Sequence, residues 1–216
     1  MGDKNSEDKR SDEYGGAVAL YELLIEPMVG WVKREVAEIV GERDYRRIVD
    51  IGCGTGEQLR LLQSPARALA GADRSEAMLA AARAKLGRPA CCVKADARRL
   101  PFAGGSLDLA ILSFVLHERP AGEREAILGE AARVVGPGGA LLLIDYLEPR
   151  GWGGQIAGVL IGLVERLAGG DHYLNYREFI NNGGLDATVY VGGFETVHVR
   201  DTALGAIRIF LVQPRH

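Results

Sequence analysis

The stretch Val49-Asp50-Ile51-Gly52-Cys53-Gly54-Thr55-Gly56 constrains this chain most, because an apolar strand-like run ends there in three closely spaced glycines. Glycine takes positive φ without strain and lets another molecule approach the main chain without meeting a Cβ. The next residues, EQLRLLQ, have helical spacing, so the glycines form a strand-to-helix turn whose amide donors are free at the helix start. From Arg46 the pattern repeats as RRIVDIG, EQLRLLQ, ARALAGAD, SEAMLAAARAKL and ACCVKAD. Such alternation of strand and helix requires a parallel sheet.

A loop, RRLPFAGGS, leads to LDLAILS, which is apolar almost throughout, as a strand covered on both faces should be. AGEREAILGEAARVV reads as an amphipathic helix stopped by Gly136 to Gly139, and ALLLIDY is a fifth strand. Near the end, FETVHVRDT and AIRIFLVQ are joined by too few residues for a helical crossover and must pair antiparallel. The expected fold class is therefore α/β: a Rossmann-like doubly wound sheet of five parallel strands closed by a C-terminal antiparallel hairpin, seven strands in all, with helices on both faces. Residues 1–13 are expected to be a disordered tail, 14–44 a helical cap broken near Pro27 and Gly30, and 45–216 the main domain. An insertion at about 151–185 holds a helix over 153–168 and a short one around 176–182.

Charge and composition narrow the partners. A formal charge of −3 leaves no basic field to hold a phosphate backbone, so a nucleic-acid partner is disfavoured. The amino terminus lacks the apolar run of a secretory signal, and the segment Trp152 to Ala168 is too short for a bilayer and carries Glu165 and Arg166. Three cysteines, Cys53, Cys91 and Cys92, suit a reducing cytoplasm better than a disulfide framework. No cluster of acids suggests a magnesium site, and no metal is expected.

The glycine turn reads G-x-G-x-G, with Glu57 where a dinucleotide fingerprint has its third glycine. Asp50, just before the turn, repels phosphate and tolerates an ammonium or sulfonium. Asp73 closes the second strand about twenty residues on, the spacing at which a carboxylate accepts from ribose hydroxyls. Asp96 closes the third strand, where it can accept from an exocyclic amine. A cationic amino acid, a ribose and an adenine joined without phosphate describe S-adenosylmethionine.

Taken together, VDIGCGTG, the Ala72-Asp73 pair, KADARRLPF, SFVLHE and GGALLLID resemble class I methyltransferases over roughly residues 45–146, most closely the ubiquinone and menaquinone C-methyltransferases and similar small-molecule enzymes. The resemblance implies that Gly52, Gly54 and Gly56 contact the methionine part of S-adenosylmethionine, Asp73 the ribose, Asp96 with Ala97 the adenine, and Ser113 the methionyl end through its backbone. Asp50, Cys53 and Arg74 complete the candidate cofactor set. Methyl transfer from a sulfonium is an in-line displacement, needing a general base only for a weak, protonated nucleophile. His117, Tyr146, His172 and Tyr176 are the candidate catalytic residues, with Asp145 and Tyr173 nearby in sequence. The tetrapeptide Ser113-Phe114-Val115-Leu116 is unlike the Asp/Asn-Pro-Pro-Tyr of base and glutamine methylases, and with no magnesium cluster a metal-free small-molecule reaction remains, on an acceptor expected to be small and partly apolar. In the 153–168 helix, Ile156, Val159, Leu160, Leu163 and Leu167 share one face and Gly154, Gly158 and Gly162 form a ridge suited to close packing or to a mobile lid. A non-catalytic protein that binds the same cofactor is the alternative.

Overall fold

The computed structural model describes residues 26–87, 90–168 and 170–215, so the expected tail and the first part of the cap lie outside the described residues. The chain divides into two compact units, Met1–Pro101 and Phe102–His216. In the first unit, helix α1 (Glu26–Gly41) precedes β1 (Arg47–Ile51), α2 (Glu57–Leu62), β2 (Ala68–Asp73), α3 (Glu76–Leu86) and β3 (Cys91–Lys94). The strands lie in the order β3-β2-β1, all parallel, with Val49 opposite Ala70 and Asp73 opposite Lys94.

No break falls at Gly30, and what precedes Glu26 lies outside the described residues. Pro27 falls in the first turn of α1, where its missing N–H costs nothing, and the helix continues through Gly30. Val32, Val36, Ile39 and Val40 on one face are at most 1% exposed, and this burial holds the helix together. Helix α3 starts at a side-chain cap, with Ser75 Oγ accepting from Met78 N at 3.3 Å.

In the second unit, β4 (Leu109–Ser113), α4 (Ala121–Val135) and β5 (Ala140–Tyr146) are followed by α5 (Gly151–Ala168), α6 (Gly170–Asn181) and α7 (Gly184–Val191). The chain then ends in β6 (Phe194–Thr202) and β7 (Ile207–Pro214), joined by one 3-10 turn. Strand order is β4-β5-β7-β6; β4 and β5 are parallel, and β5-β7 and β7-β6 antiparallel. Five parallel-type strands and a C-terminal antiparallel hairpin are the fold class expected. Ala140 to Asp145 are all buried, as a central strand requires.

The insertion differs from expectation in two ways. Helix α6 begins at Gly170 rather than near Tyr176, and α7, with sequence GLDATVYV, forms where its β-branched residues gave no helical signal. Burial of Leu185 and Val189 supplies what propensity does not. In α5 the glycine ridge is the packed face: a Cβ on Gly158 would stand 2.7 Å from Pro149 Cγ. The apolar stripe faces outward instead, with Ile156 58%, Val159 74% and Leu163 58% exposed. No helix among the described residues is long and apolar enough to cross a membrane.

Candidate functional site

In the first unit the glycine turn is held in an unusual backbone state. Gly52, Gly54 and Gly56 take φ of 76°, 51° and 78°, the left-handed region that side chains disfavour. Gly52 N and Cys53 N both donate to Ala72 O, at 2.7 and 3.2 Å, which pins the turn to β2. Asp73 clamps it from the other side: Oδ2 accepts from Gly54 N at 2.9 Å and Oδ1 from Ser75 N at 2.9 Å. Each oxygen keeps lone-pair capacity for a further donor. A Cβ placed on Gly54 would meet nothing within 4 Å, so open space lies beside this main chain.

The neighbouring strand ends carry the other acids. Asp50, in β1, is 2% exposed. Asp96, just past β3, accepts from Arg98 N at 2.9 Å and from its guanidinium, and those bonds hold its carboxyl down to about 2. Arg74 is exposed and adds its positive charge toward Asp96, while Ala97 is half-buried. Cys53 is used differently from the other turn residues. Its Sγ lies where a Cβ on Gly71 would come within 2.7 Å, so the side chain packs between strand and helix. Burial, with Asp50 and Asp73 nearby, pushes its thiol far up.

The second unit holds a buried polar cluster at the ends of β4 and β5. Ser113 Oγ is buried without a hydrogen-bond partner. The following Phe114 adopts φ 57°, a strained value for a bulky residue, and its N donates to Ile144 O at 2.8 Å. This turns the chain so that Leu116 N and His117 N both donate to Asp145 Oδ2, at 3.0 and 3.2 Å. Asp145 Oδ1 accepts from Tyr146 N at 2.9 Å and lies 2.7 Å from His117 Nδ1. On the far side of the ring, His117 Nε2 is 3.5 Å from Glu165 Oε1, which accepts from the Tyr146 hydroxyl at 3.1 Å.

Charge balance follows from this geometry. Burial opposes a charged His117, but the carboxylate of Asp145 and then Glu165 outweigh it and push the imidazole up to about 10. Burial alone would raise Glu165; His117 and the Tyr146 hydroxyl overcome that and hold it below the usual carboxylate range. Tyr146 is raised well above its ordinary value, chiefly by burial, and Tyr176 is pushed up to about 12 for the same reason. At neutral pH His117 is thus an imidazolium with both nitrogens turned to carboxylates, and it has no lone pair with which to take a proton.

Three of the four candidate catalytic residues meet here. His117 and Tyr146 have ring centroids 4.7 Å apart, and Tyr176 stands edge-on to Tyr146 at 5.5 Å. His172 lies at their edge: its Nδ1 is 3.8 Å from Glu118 Oε1, and its charge reaches Glu165. Glu165 was not among the sequence candidates. Its signal was its isolation, since it and Arg166 are the only charged residues between Gly151 and Ala168. Helix α6 is fastened by Arg124, which donates to Glu178 Oε2 at 2.6 Å, and by Asn175, which donates to Glu118 O at 2.8 Å. Among the described residues, no group of three or more His, Cys, Asp or Glu could hold a metal ion.

A family model described as a methyltransferase domain matches residues 49–143. A demethylmenaquinone methyltransferase of Thermus thermophilus is 34% identical over 122 residues, covering 54% of each chain. One from Clavibacter sepedonicus is 31% identical over 189 residues, 82% of this chain and 75% of that one. Against most of these curated relatives the chain spans only 54% to 59% of their length. The crystal structure of an S-adenosylmethionine-dependent methyltransferase from Thermotoga maritima superimposes with a TM-score of 0.70 at 20% identity, covering 94% of this chain and 98% of the other.

Proposed function

The chain belongs to the class I S-adenosylmethionine-dependent methyltransferases, and we propose that it transfers a methyl group to a small, partly apolar acceptor by in-line displacement. The observation that carries this reading is the Asp73 carboxylate, which ties down the bare glycine turn while keeping lone pairs for a further partner. Gly52, Gly54 and Gly56 would present main chain to the methionine part of the cofactor. Asp73 would accept from the ribose, and Asp96 and Ala97 would border the adenine. Asp50 adds negative charge that favours a cationic ligand. When bound, the cofactor supplies an electrophilic methyl group on a sulfonium.

On the acceptor side we assign contact to the aromatic surfaces of Tyr146 and Tyr176. Glu165, hydrogen-bonded to the Tyr146 hydroxyl, is the carboxylate that would receive a proton from an acidic acceptor through that hydroxyl. His117 is then a positioning residue: pinned by Asp145, it holds Glu165 ionised and Tyr146 in place. His172 lies beside Glu118, and its charge also favours the ionised form of Glu165. The relatives are named for demethylmenaquinone, which favours a ring-bearing acceptor here too. A cytoplasmic site of action belongs to the same reading and rests on cysteine usage alone.

Isothermal titration with S-adenosylhomocysteine tests the cofactor half. Saturable heat from the parent protein, and at least tenfold weaker binding by Asp96→Ala, are expected. No heat from folded protein would overturn the reading.

A further inference from the structure

Outside the buried cluster, the second unit has a groove of about 440 Å³ between α5 and α6. Gly158 and Gly162 keep one wall low, Val159, Leu163 and Ile180 add apolar surface, and Asn181 adds a polar side chain. Tyr176, 6% exposed, forms part of it and is the same residue that stands edge-on to Tyr146 at 5.5 Å. The groove therefore shares a residue with the proposed acceptor site.

Two guanidiniums also line it. Arg166 and Arg177 both approach the Tyr173 ring, their Cζ atoms 4.9 and 6.0 Å from its centroid. Two of the acids on these helices are engaged elsewhere, Glu178 with Arg124 and Asn182 and Glu165 with Tyr146 and His117, while Asp171 is exposed in the first turn of α6. Neither Arg166 nor Arg177 has a carboxylate partner among the described residues. Two like charges sharing one ring repel each other, and an anion bridging them removes that cost while gaining charge-assisted hydrogen bonds. The apolar walls add burial for a hydrophobic body.

We propose that this groove binds the acceptor as a free amphipathic anion, its ring or chain between α5 and α6 and its carboxylate or phosphate between Arg166 and Arg177. The inference rests on the methyltransferase reading for what happens to the ligand, but not for its binding. Anilinonaphthalene sulfonate is a suitable probe, because its fluorescence rises in apolar surroundings, and phenylnaphthylamine offers the same rings without the anion. The parent protein should bind the sulfonate saturably. Arg166→Gln and Arg177→Gln should each weaken it roughly tenfold or more while leaving phenylnaphthylamine unchanged. Sulfonate affinity in both variants equal to that of the parent, or an equal loss for both probes, would overturn the proposal. Arg166-dependent cosedimentation with phosphatidylglycerol vesicles would place a membrane lipid there and overturn the assignment to a free metabolite. Titration of the same samples with S-adenosylhomocysteine separates the two claims: cofactor heat without Arg-dependent sulfonate binding removes only this inference, whereas the reverse result removes the methyltransferase reading.

Discussion

Replacing Glu165 by glutamine removes one of the two negative charges that face the His117 ring. Glu165 Oε1 stands 3.5 Å from His117 Nε2 and also accepts from the Tyr146 hydroxyl. Two unit charges at that separation attract by about 5 kcal/mol at an effective dielectric of roughly 20, an upper figure because Tyr146 shares the carboxylate. A charge-assisted hydrogen bond nets about 1.5–3 kcal/mol, which corresponds to one to two pKa units. His117, at about 10 in the parent, should therefore titrate one to two units lower in Glu165→Gln. The folded value lies above the ordinary value of about 6.5, so the stability carried by the imidazolium is complete below about pH 6.5 and disappears as pH rises through about 10. The variant should accordingly cost about 2 kcal/mol near neutrality and nothing once the parent ring has also lost its proton. Histidine-ring NMR titration gives the pKa, and urea unfolding at several pH values gives the energy. A parent His117 that titrates near its ordinary value, or a titration unmoved by the substitution, refutes the buried array as described.

Other substitutions probe the remaining elements. Asp73→Asn turns an amide donor toward Gly54 N or Ser75 N, and binding of S-adenosylhomocysteine should fall at least tenfold by calorimetry; unchanged affinity would remove Asp73 from the site. Gly158→Ala forces a Cβ to within 2.7 Å of Pro149 Cγ, and overpacking of about 1–3 kcal/mol should exceed the helix propensity gained. Gly129→Ala, in α4 where a Cβ meets nothing within 4 Å, should instead stabilise by up to about 1 kcal/mol. Thermal melts of the pair that shift in the same direction would contradict the packing assigned to α5.

The strand-turn-helix at Val49 to Gly56 and the acids at 73 and 96 were legible because turn chemistry, strand burial and spacing all point the same way. The insertion was not. Periodicity in α5 separated the Ile156-Val159-Leu163 stripe from the Gly154-Gly158-Gly162 ridge, yet it cannot say which face meets the protein; Pro149 selects the ridge, and the stripe is left outside. Helix α7 is held by buried Leu185 and Val189 against the preference of Thr188 and Val191, a tertiary effect invisible in a local window. Gly30 signalled a break, but α1 runs through it because buried Val32, Val36, Ile39 and Val40 hold the helix; Pro27 sits in the first turn, where a helix can begin. The cluster around His117 depends on Glu165, which is 48 positions away in the chain and joins it only once α5 folds back beside β5.

Transfer of labelled methyl from S-adenosylmethionine, assayed with the purified protein and a fractionated pool of ring-bearing small molecules, tests the central claim most directly. Label should appear in a small extractable product with the parent protein and be strongly reduced with Asp73→Asn. Cofactor binding without label in any small molecule, or label found only in macromolecules, would contradict the account.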